Sequence, residues 1–332
     1  MKVISFNSYK GGSCRTTTCY NTLPYLAKAL GATSQEPILV YDIDLDSMGL
    51  TNMFHKGGDS QKELPYSAKH LFVEDDEGIN QNAFRKLDSV ETGEEYFKHY
   101  EKVGNDLGLE DDGSVLFLGA DKNSSTISDD DYVKYAESSP IQRFITKTFP
   151  EMQPAPKAVV FDCASGVQGT TLTALRLTNC AVMCMRPTYQ SRVGTSDYLT
   201  RKIPLEINRR KTNRKREIIL LPTAVAQINM PESEPDYEKA VNKLNDMRQK
   251  AIELIRRDII DKYKTLGKHV DLGYELNTVM FEDRDDPVVG IPEIERFKWE
   301  ETLLYKMKDE EKIEQERQLE KRYEKLAALL AR

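Results

Sequence analysis

The first eighteen residues, MKVISFNSYKGGSCRTTT (Met1–Thr18), decide the fold. The short apolar run Val3–Phe6 predicts a strand, and the apolar residues that recur at helical spacing from Tyr20 onward predict a helix. Between them, the segment Lys10–Thr17 holds two glycines, a basic residue and hydroxyl side chains. This order is typical of a phosphate-binding loop. The backbone N–H groups of such a loop converge on phosphate oxygens at the positive end of the helix.

The composition indicates a soluble globular protein. The chain has 332 residues, is 39% apolar and 30% charged, and carries a formal net charge of −7. No apolar run approaches the ~20 residues that span a bilayer. The chain opens directly on the strand pattern, so we expect no signal peptide. The cysteines are scattered and odd in number, which favours free thiols over a disulfide framework. We therefore expect a cytoplasmic protein.

Short apolar runs alternate with segments long enough for crossover helices, which predicts a mostly parallel, wound α/β sheet flanked by helices. The predicted strands are Val3–Phe6, Ile38–Tyr41, Val115–Leu118, Ala158–Phe161, Ala181–Met185, Ile218–Leu221 and Thr278–Phe281. We expect a single domain over residues 1–299. Helices and loops would be inserted at about residues 52–114, where the sequence is acidic and poorly patterned. A charged C-terminal helix over residues 300–332 would pack on the domain.

Carboxylates follow two of the predicted strands. Asp42 and Asp44 end the second strand, and their side chains lie on one side of it because side chains alternate with a period of two. Asp162 ends the strand Ala158–Phe161 in the same way. Ligands bind at the carboxyl edge of parallel sheets, so these residues are candidate site residues. Taken alone, the pair Asp42 and Asp44 could equally be a polar cap that begins a loop, and the single aspartate Asp162 is a weak signal because many strands end this way.

These three elements, in this order, resemble the ParA/MinD group of P-loop ATPases. The segment Lys10–Thr17 is similar to that group's deviant loop K-G-G-x-G-K-T-T, with Cys14 in the place of the last glycine and Arg15 in the place of the lysine. It fits a subgroup of the form K-G-G-x-x-R. Asp42-Ile43-Asp44 resembles the group's D-x-D motif, and Asp162 resembles its Walker B aspartate.

The resemblance implies a set of residue roles. Arg15 would reach the β- and γ-phosphates, and Asp44 would position the attacking water. Lys10 would reach the partner's phosphates in a homodimer that sandwiches ATP. These are the implied catalytic residues. The implied nucleotide-binding residues are Lys10, Gly11, Gly12, Ser13, Cys14, Arg15, Thr16, Thr17 and Pro292. Mg²⁺ would be held by Thr16, Asp42 and Asp162, partly through water.

Two departures from the motif affect the expected activity. Arginine is planar and longer than lysine, so Arg15 is not a neutral replacement at a tight phosphate site. If the loop needs a positive φ at Cys14, the side chain there costs on the order of 1 kcal/mol or more. We expect ATP binding to survive, because the backbone and the hydroxyls remain. Hydrolysis is expected to be slow or to depend on a partner protein.

The segment Arg201–Arg216 predicts a basic surface on an otherwise acidic chain. It holds eight Lys or Arg residues and one acid in sixteen positions. One interpretation is non-specific binding of duplex DNA through phosphate contacts; the other is a solvated loop before the next strand. The candidate DNA-binding residues are Arg209, Arg210, Lys211, Arg214, Lys215 and Arg216.

The C-terminal segment carries an apolar stripe at helical spacing, formed by Leu319, Tyr323, Leu326 and Leu330. We interpret it as a closing helix packed on the domain rather than a MinD-like membrane-targeting helix, because the polar face has mixed charge. The expected function is an ATP-dependent, dimerising switch ATPase of the ParA/MinD type that is associated with DNA and regulated by a protein partner. The alternatives are a switch subunit of a multi-protein defence system and a membrane-associated positioning ATPase.

Overall fold

The structure is a computed structural model that describes residues 1–55, 67–72, 96–120, 140–208, 216–225, 233–280, 290–293 and 303–332. The strands in these ranges form one eight-stranded sheet in the order β3-β4-β2-β5-β1-β6-β7-β8. They are β1 (Lys2–Ser8), β2 (Ile38–Ile43), β3 (Glu101–Lys102), β4 (Val115–Leu118), β5 (Ala158–Cys163), β6 (Cys180–Met185), β7 (Glu217–Pro222) and β8 (Glu275–Asn277). All pairings are parallel except that of β3 with β4, which confirms the predicted fold class.

Helices cover both faces of the sheet. In the described ranges they are α1 (Arg15–Leu30), α2 (Gly49–Phe54), α3 (Pro140–Arg143), α4 (Phe149–Glu151), α5 (Gly169–Leu177), α6 (Tyr189–Asp197), α7 (Ile203–Asn208), α8 (Tyr237–Ile255), α9 (Asp261–Gly267) and α10 (Glu314–Ala331). Wider π-helical turns join α3 to α4, α6 to α7 and α8 to α9.

The central strands are buried on both faces, as their continuous apolar sequences predict. Every residue of β2 and β5 is buried. Strand β1 lies between β5 and β6, so the chain crosses from one half of the sheet to the other beside it. This is the switch point at which open α/β sheets place their ligands. The register sets Asp42 directly beside Asp162 at that edge.

Helix α10 packs on α1 and buries the C-terminal apolar stripe. Tyr323 stacks on Tyr25 with a ring-centroid distance of 6.5 Å, and the Tyr25 hydroxyl donates a hydrogen bond of 2.9 Å to Glu320. Leu326 is fully buried in the same core. The stripe is therefore covered by the protein itself, which removes the basis for a membrane-targeting helix. No helix in the described ranges is long and apolar enough to span a membrane.

The helix predicted from residue 300 begins later, at Glu314. The carboxylate of Glu316 accepts a hydrogen bond of 3.0 Å from the Ile313 N–H, which caps the first turn at this point. The preceding described residues contain a short 3₁₀ turn at Leu304–Lys306 instead.

The strand predicted at Thr278–Phe281 is wrong. The strand is Glu275–Asn277, which pairs with β7, and Thr278–Met280 lie outside it, while Phe281 lies outside the described residues. The Asn277 side chain explains the early end, because its amide donates to Glu217 at 2.6 Å and its carbonyl accepts from the Val279 N–H at 2.9 Å. These two bonds turn the chain away from the sheet.

The inserted segment contributes more to the sheet than the sequence predicted. The described parts of residues 52–114 include the antiparallel edge strand β3. They also include Tyr96 and Tyr100, whose hydroxyls are joined by a hydrogen bond of 2.8 Å. Tyr100 is in turn bonded at 2.8 Å to Tyr41 of β2, so this segment is tied to the central sheet.

Candidate functional site

The segment between β1 and α1 forms a tight loop at the carboxyl edge of the sheet. Gly12 (φ 72°) and Cys14 (φ 51°) are both in the left-handed region. The Ser13 hydroxyl donates to the Lys10 carbonyl at 2.7 Å and closes the turn. The Thr223 hydroxyl, which follows β7, donates to the Ser13 carbonyl at 2.7 Å. The loop is thus fixed both internally and by a neighbouring strand end.

Cys14 adopts the left-handed conformation for which glycine is suited, so the condition under which its side chain carries a cost is met. A side chain in this region costs roughly 1–2 kcal/mol. The Cys14 carbonyl accepts hydrogen bonds from the backbone N–H of Thr18 at 2.9 Å and from its hydroxyl at 2.7 Å. Cys14 therefore begins α1 despite the strain.

The loop leaves open space on the side of Gly12. A Cβ atom built on Gly12 would meet no heavy atom of the described residues within 4 Å, and Gly11 and Gly12 are both exposed. Helix α1 begins directly behind them, and among the described residues its first turn holds no acidic side chain. Exposed backbone at the positive end of a 16-residue helix suits an anion such as phosphate.

Arg15, Asp44 and Asp162 form a buried charge cluster beside this loop. The Arg15 Nη2 atom lies 2.7 Å from Asp44 Oδ2, and its Nε atom lies 2.9 Å from Asp162 Oδ1. The Arg15 side chain is 7% exposed. Burial alone would lower the pKa of Arg15, but the charges of Asp162 and Asp44 outweigh it and raise that pKa further above its usual value. The guanidinium is therefore a permanent cation between two carboxylates.

Asp42 is fully buried and is bound by Thr51, and not by Arg15. Its Oδ2 atom accepts hydrogen bonds from the Thr51 N–H at 2.8 Å and the Thr51 hydroxyl at 2.7 Å. Its Oδ1 atom accepts from the Asp44 N–H at 3.1 Å. Burial, followed by the charge of Asp162, raises the pKa of Asp42 to about 7, although the bonds from Thr51 oppose the rise. Burial also raises the pKa of Asp162, against the effect of Arg15.

The donor set at this edge fits Mg²⁺. The Thr16 hydroxyl donates to Asp162 Oδ2 at 2.8 Å, so a hydroxyl and a carboxylate oxygen meet at the start of α1. Oxygen ligands of this kind are those that Mg²⁺ prefers. In the part of the chain that the structure describes, no three His, Cys, Asp or Glu side chains could hold a metal by themselves. Phosphate oxygens and water would have to complete the coordination.

Lys10 lies at the exposed rim of the loop. Its ammonium donates a hydrogen bond to the Gln190 side chain at the start of α6. The chain neighbours of Lys10 and Gln190 are exposed aromatic residues, with Tyr9 39% and Tyr189 69% exposed, and Val193 of the same helix α6 is 40% exposed. The loop rim is thus both cationic and partly apolar.

The remaining predicted nucleotide residues lie near the same edge. Thr17 is half-buried in the first turn of α1. Pro292 is buried and forms a bridge with Val225, which follows β7. The Ile291 N–H donates to the Pro222 carbonyl at 2.8 Å, so this segment is fixed to the end of β7.

The predicted DNA-binding residues are mostly untested by the structure. Arg209, Arg210, Lys211, Arg214 and Lys215 lie outside the described residues. Arg216 is buried, and its Nη2 atom donates to the Arg176 carbonyl at 3.0 Å. Arg216 is therefore a residue of the protein interior and not of an exposed basic surface.

Three contributors to the site were missed from the sequence. Thr51 holds Asp42, Thr223 holds the loop through Ser13, and Gln190 contacts Lys10. Each reaches the site from a separate part of the chain, and no motif in the sequence marks them.

Several solved structures have a similar fold over nearly the whole chain, and two of them serve as examples. One is the ATP complex of an aspartate-to-alanine variant of Cyanothece McdA, with 14% identity and a TM-score of 0.52 over 99% of this chain and 96% of McdA. The other is pNOB8 ParA, with 14% identity and a TM-score of 0.53 over 99% of this chain and 97% of ParA. No protein-family model and no curated protein sequence matches. The similarities establish a ParA/MinD-type P-loop fold.

Proposed function

We propose that this chain binds ATP·Mg²⁺ at Lys10–Thr17 and acts as a switch ATPase of the ParA/MinD type, with slow or partner-stimulated turnover. The observation that carries the proposal is the open side of Gly12 at the start of α1, next to Thr16 and Asp162. A phosphate placed there would meet exposed N–H groups and the helix dipole. The structure of McdA, which shares this fold, was solved as an ATP complex.

The site residues would have separate roles in phosphoryl transfer. Thr16 and Asp162 would hold Mg²⁺, with Asp42 acting through water, and the ion would neutralise charge on the phosphates. Arg15 would contact the phosphates once they are bound. Asp44 would orient the attacking water, because its carboxylate follows β2 at the same edge.

The rim of the loop supports homodimerisation with ATP between the protomers. Lys10 is exposed there and could reach a partner's phosphates, as an arginine finger does. The exposed side chains of Tyr9, Tyr189 and Val193 add apolar surface next to it. Apolar surface of this kind is typical of interaction sites.

Asp44→Ala should separate dimerisation from hydrolysis. Without the carboxylate that orients water, turnover should fall by about 100-fold or more. The phosphate loop is unchanged, so the variant should still form a dimer with ATP·Mg²⁺, as measured by size-exclusion chromatography with light scattering. Asp46→Ala is the matched control, because Asp46 is the next alternate carboxylate and is exposed; its turnover should equal that of the wild type.

Equal turnover in Asp44→Ala and the wild type would show that Asp44 does not orient the water. A wild-type chain that remains a monomer with ATP·Mg²⁺ would contradict the dimer.

Duplex DNA is the second proposed ligand, on the strength of the basic run Arg201–Arg216. Arg201 and Lys202 at its start are exposed. Because Arg216 is buried, the proposed contacts are limited to Arg209, Arg210, Lys211, Arg214 and Lys215. Contacts of these side chains with the phosphate backbone would give little sequence preference.

Replacing these five residues by Gln should remove most DNA binding and leave ATP affinity unchanged. The log–log salt slope should flatten by roughly 0.9 for every phosphate that is no longer neutralised. The matched control replaces five exposed lysines of α8 and α9 by Gln, namely Lys239, Lys243, Lys250, Lys262 and Lys264. Fluorescence anisotropy with a labelled duplex, beginning at ~50 mM salt, measures the DNA affinity of both variants. Equal reduction of binding in the two variants would indicate a net-charge effect and contradict the assignment.

A further inference from the structure

The guanidinium of Arg15 lies at the carboxyl edge of β5, where a metal ion would contact Asp162 and Thr16. All the hydrogen bonds that its guanidinium makes with described residues go to three side chains of the site. They are Asp162 at 2.9 Å, Asp44 at 2.7 Å and Thr16 at 3.1 Å. Burial among two carboxylates and a hydroxyl resembles the oxygen environment of a bound divalent ion.

A second cation cannot share these oxygens with Arg15 at low cost. At contact distance the positive guanidinium and a divalent cation repel strongly, because burial leaves little water to screen the two charges. A divalent ion at Asp162 and Thr16 would therefore require the guanidinium to leave. Among the described residues, Arg15 contacts no other carboxylate.

The planar fork of arginine makes this arrangement possible. Its Nε and Nη2 atoms point in fixed directions, and here each contacts a carboxylate from a different strand end. A lysine ammonium is a single point charge on a flexible stem and does not provide such a fork.

We propose that Arg15 is an internal counter-ion that excludes divalent cations from the nucleotide-free site. Metal then enters only together with phosphate, whose negative charge draws the guanidinium away from Asp44 and Asp162. The exclusion of divalent cations by Arg15 does not depend on ATP, whereas the entry of metal together with phosphate rests on the proposed ATP binding. Arg15 would thereby prevent the divalent cation from binding before the phosphate.

Direct binding of Mn²⁺ to the nucleotide-free protein tests the exclusion without any need for ATP. Electron paramagnetic resonance of Mn²⁺ measures the free ion, and thermal unfolding with and without Mg²⁺ gives a second readout. The wild type should bind no Mn²⁺ and show no shift in its midpoint with Mg²⁺. Arg15→Met should bind Mn²⁺ with an affinity at least about tenfold above the detection limit of the wild-type measurement, because the carboxylates lose their counter-ion, and Mg²⁺ should raise its unfolding midpoint.

The double variant Arg15→Met/Asp162→Asn is the matched control and should lose this Mn²⁺ binding. If Arg15→Met does not fold, Arg15→Lys serves, since a single ammonium bridges the two carboxylates less well; its Mn²⁺ binding should also exceed that of the wild type. Mn²⁺ binding by the wild type without nucleotide would overturn the proposal. So would Arg15 variants that bind no Mn²⁺. Failure of the wild type to bind ATP would instead overturn the proposed function and leave the exclusion standing.

Discussion

Arg15→Met should lower the free energy of unfolding by about 3–5 kcal/mol, the cost of leaving buried charges without their partner. Asp44 and Asp162 would both lose the guanidinium that lies within 3 Å of them. Urea-induced unfolding at neutral pH measures the loss. The difference in unfolding free energy between the wild type and the variant should become smaller in acid. Burial raises the pKa of Asp162, and a protonated carboxyl does not need a counter-ion.

Arg186→Met provides the matched control for this loss. Arg186 pairs with Glu293 at 3.4 Å, but its side chain is 43% exposed. Such a pair contributes roughly 0–1 kcal/mol. If the two substitutions cost the same, the buried position of the Arg15 cluster would have no energetic consequence.

Gly12→Ala should weaken ATP binding by about 100-fold, the equivalent of two charge-assisted hydrogen bonds of about 1.5 kcal/mol each. The added Cβ meets no described atom of the free protein, so it would project into the space proposed for phosphate. The free protein should lose only about 1 kcal/mol, from alanine at a positive φ. Calorimetric titration with ATP·Mg²⁺ measures the affinity.

Gly31→Ala separates backbone strain from the loss of the phosphate space. Gly31 ends α1 with φ 60°, and a Cβ there also meets no described atom within 4 Å. Its cost in stability should match that of Gly12→Ala, while its ATP affinity should equal that of the wild type. Weakened binding in both variants would indicate that helix strain, and not the space beside Gly12, controls the affinity.

The central strands could be predicted because burial on both faces requires continuous apolar sequence. Val115–Leu118 was predicted at its observed bounds, and Ala158–Phe161 lies within β5. Strand β8 was misplaced because it lies at an edge and has little apolar sequence of its own; Asn277 determines its end through side-chain bonds. Strand β3 is two residues long and offers no periodicity to detect.

The positions of the site residues were predictable where they follow a strand end. Asp42 and Asp162 lie side by side because parallel strands bring their carboxyl ends to one edge. The sequence left open whether Cys14 has a positive φ, and the structure gives it φ 51°.

The contacts of those residues were not predictable, because they depend on side chains that are distant in sequence. Arg15 was expected to face phosphate, yet it contacts Asp44, 29 residues away, and Asp162, 147 residues away. Nothing in the sequence indicates that the acidic edge needs an internal cation. That need appears only when the buried carboxylates are seen together.

The most direct test of nucleotide binding at Lys10–Thr17 is calorimetric titration of the wild-type protein with ATP in the presence of Mg²⁺. We expect saturable binding of one ATP per chain, with a dissociation constant between roughly 1 μM and 1 mM, the range typical of enzyme substrates. The same titration of Gly12→Ala should give much weaker binding. Absence of saturable binding to the wild type, or equal binding to Gly12→Ala, would contradict the assignment of this loop as the ATP site.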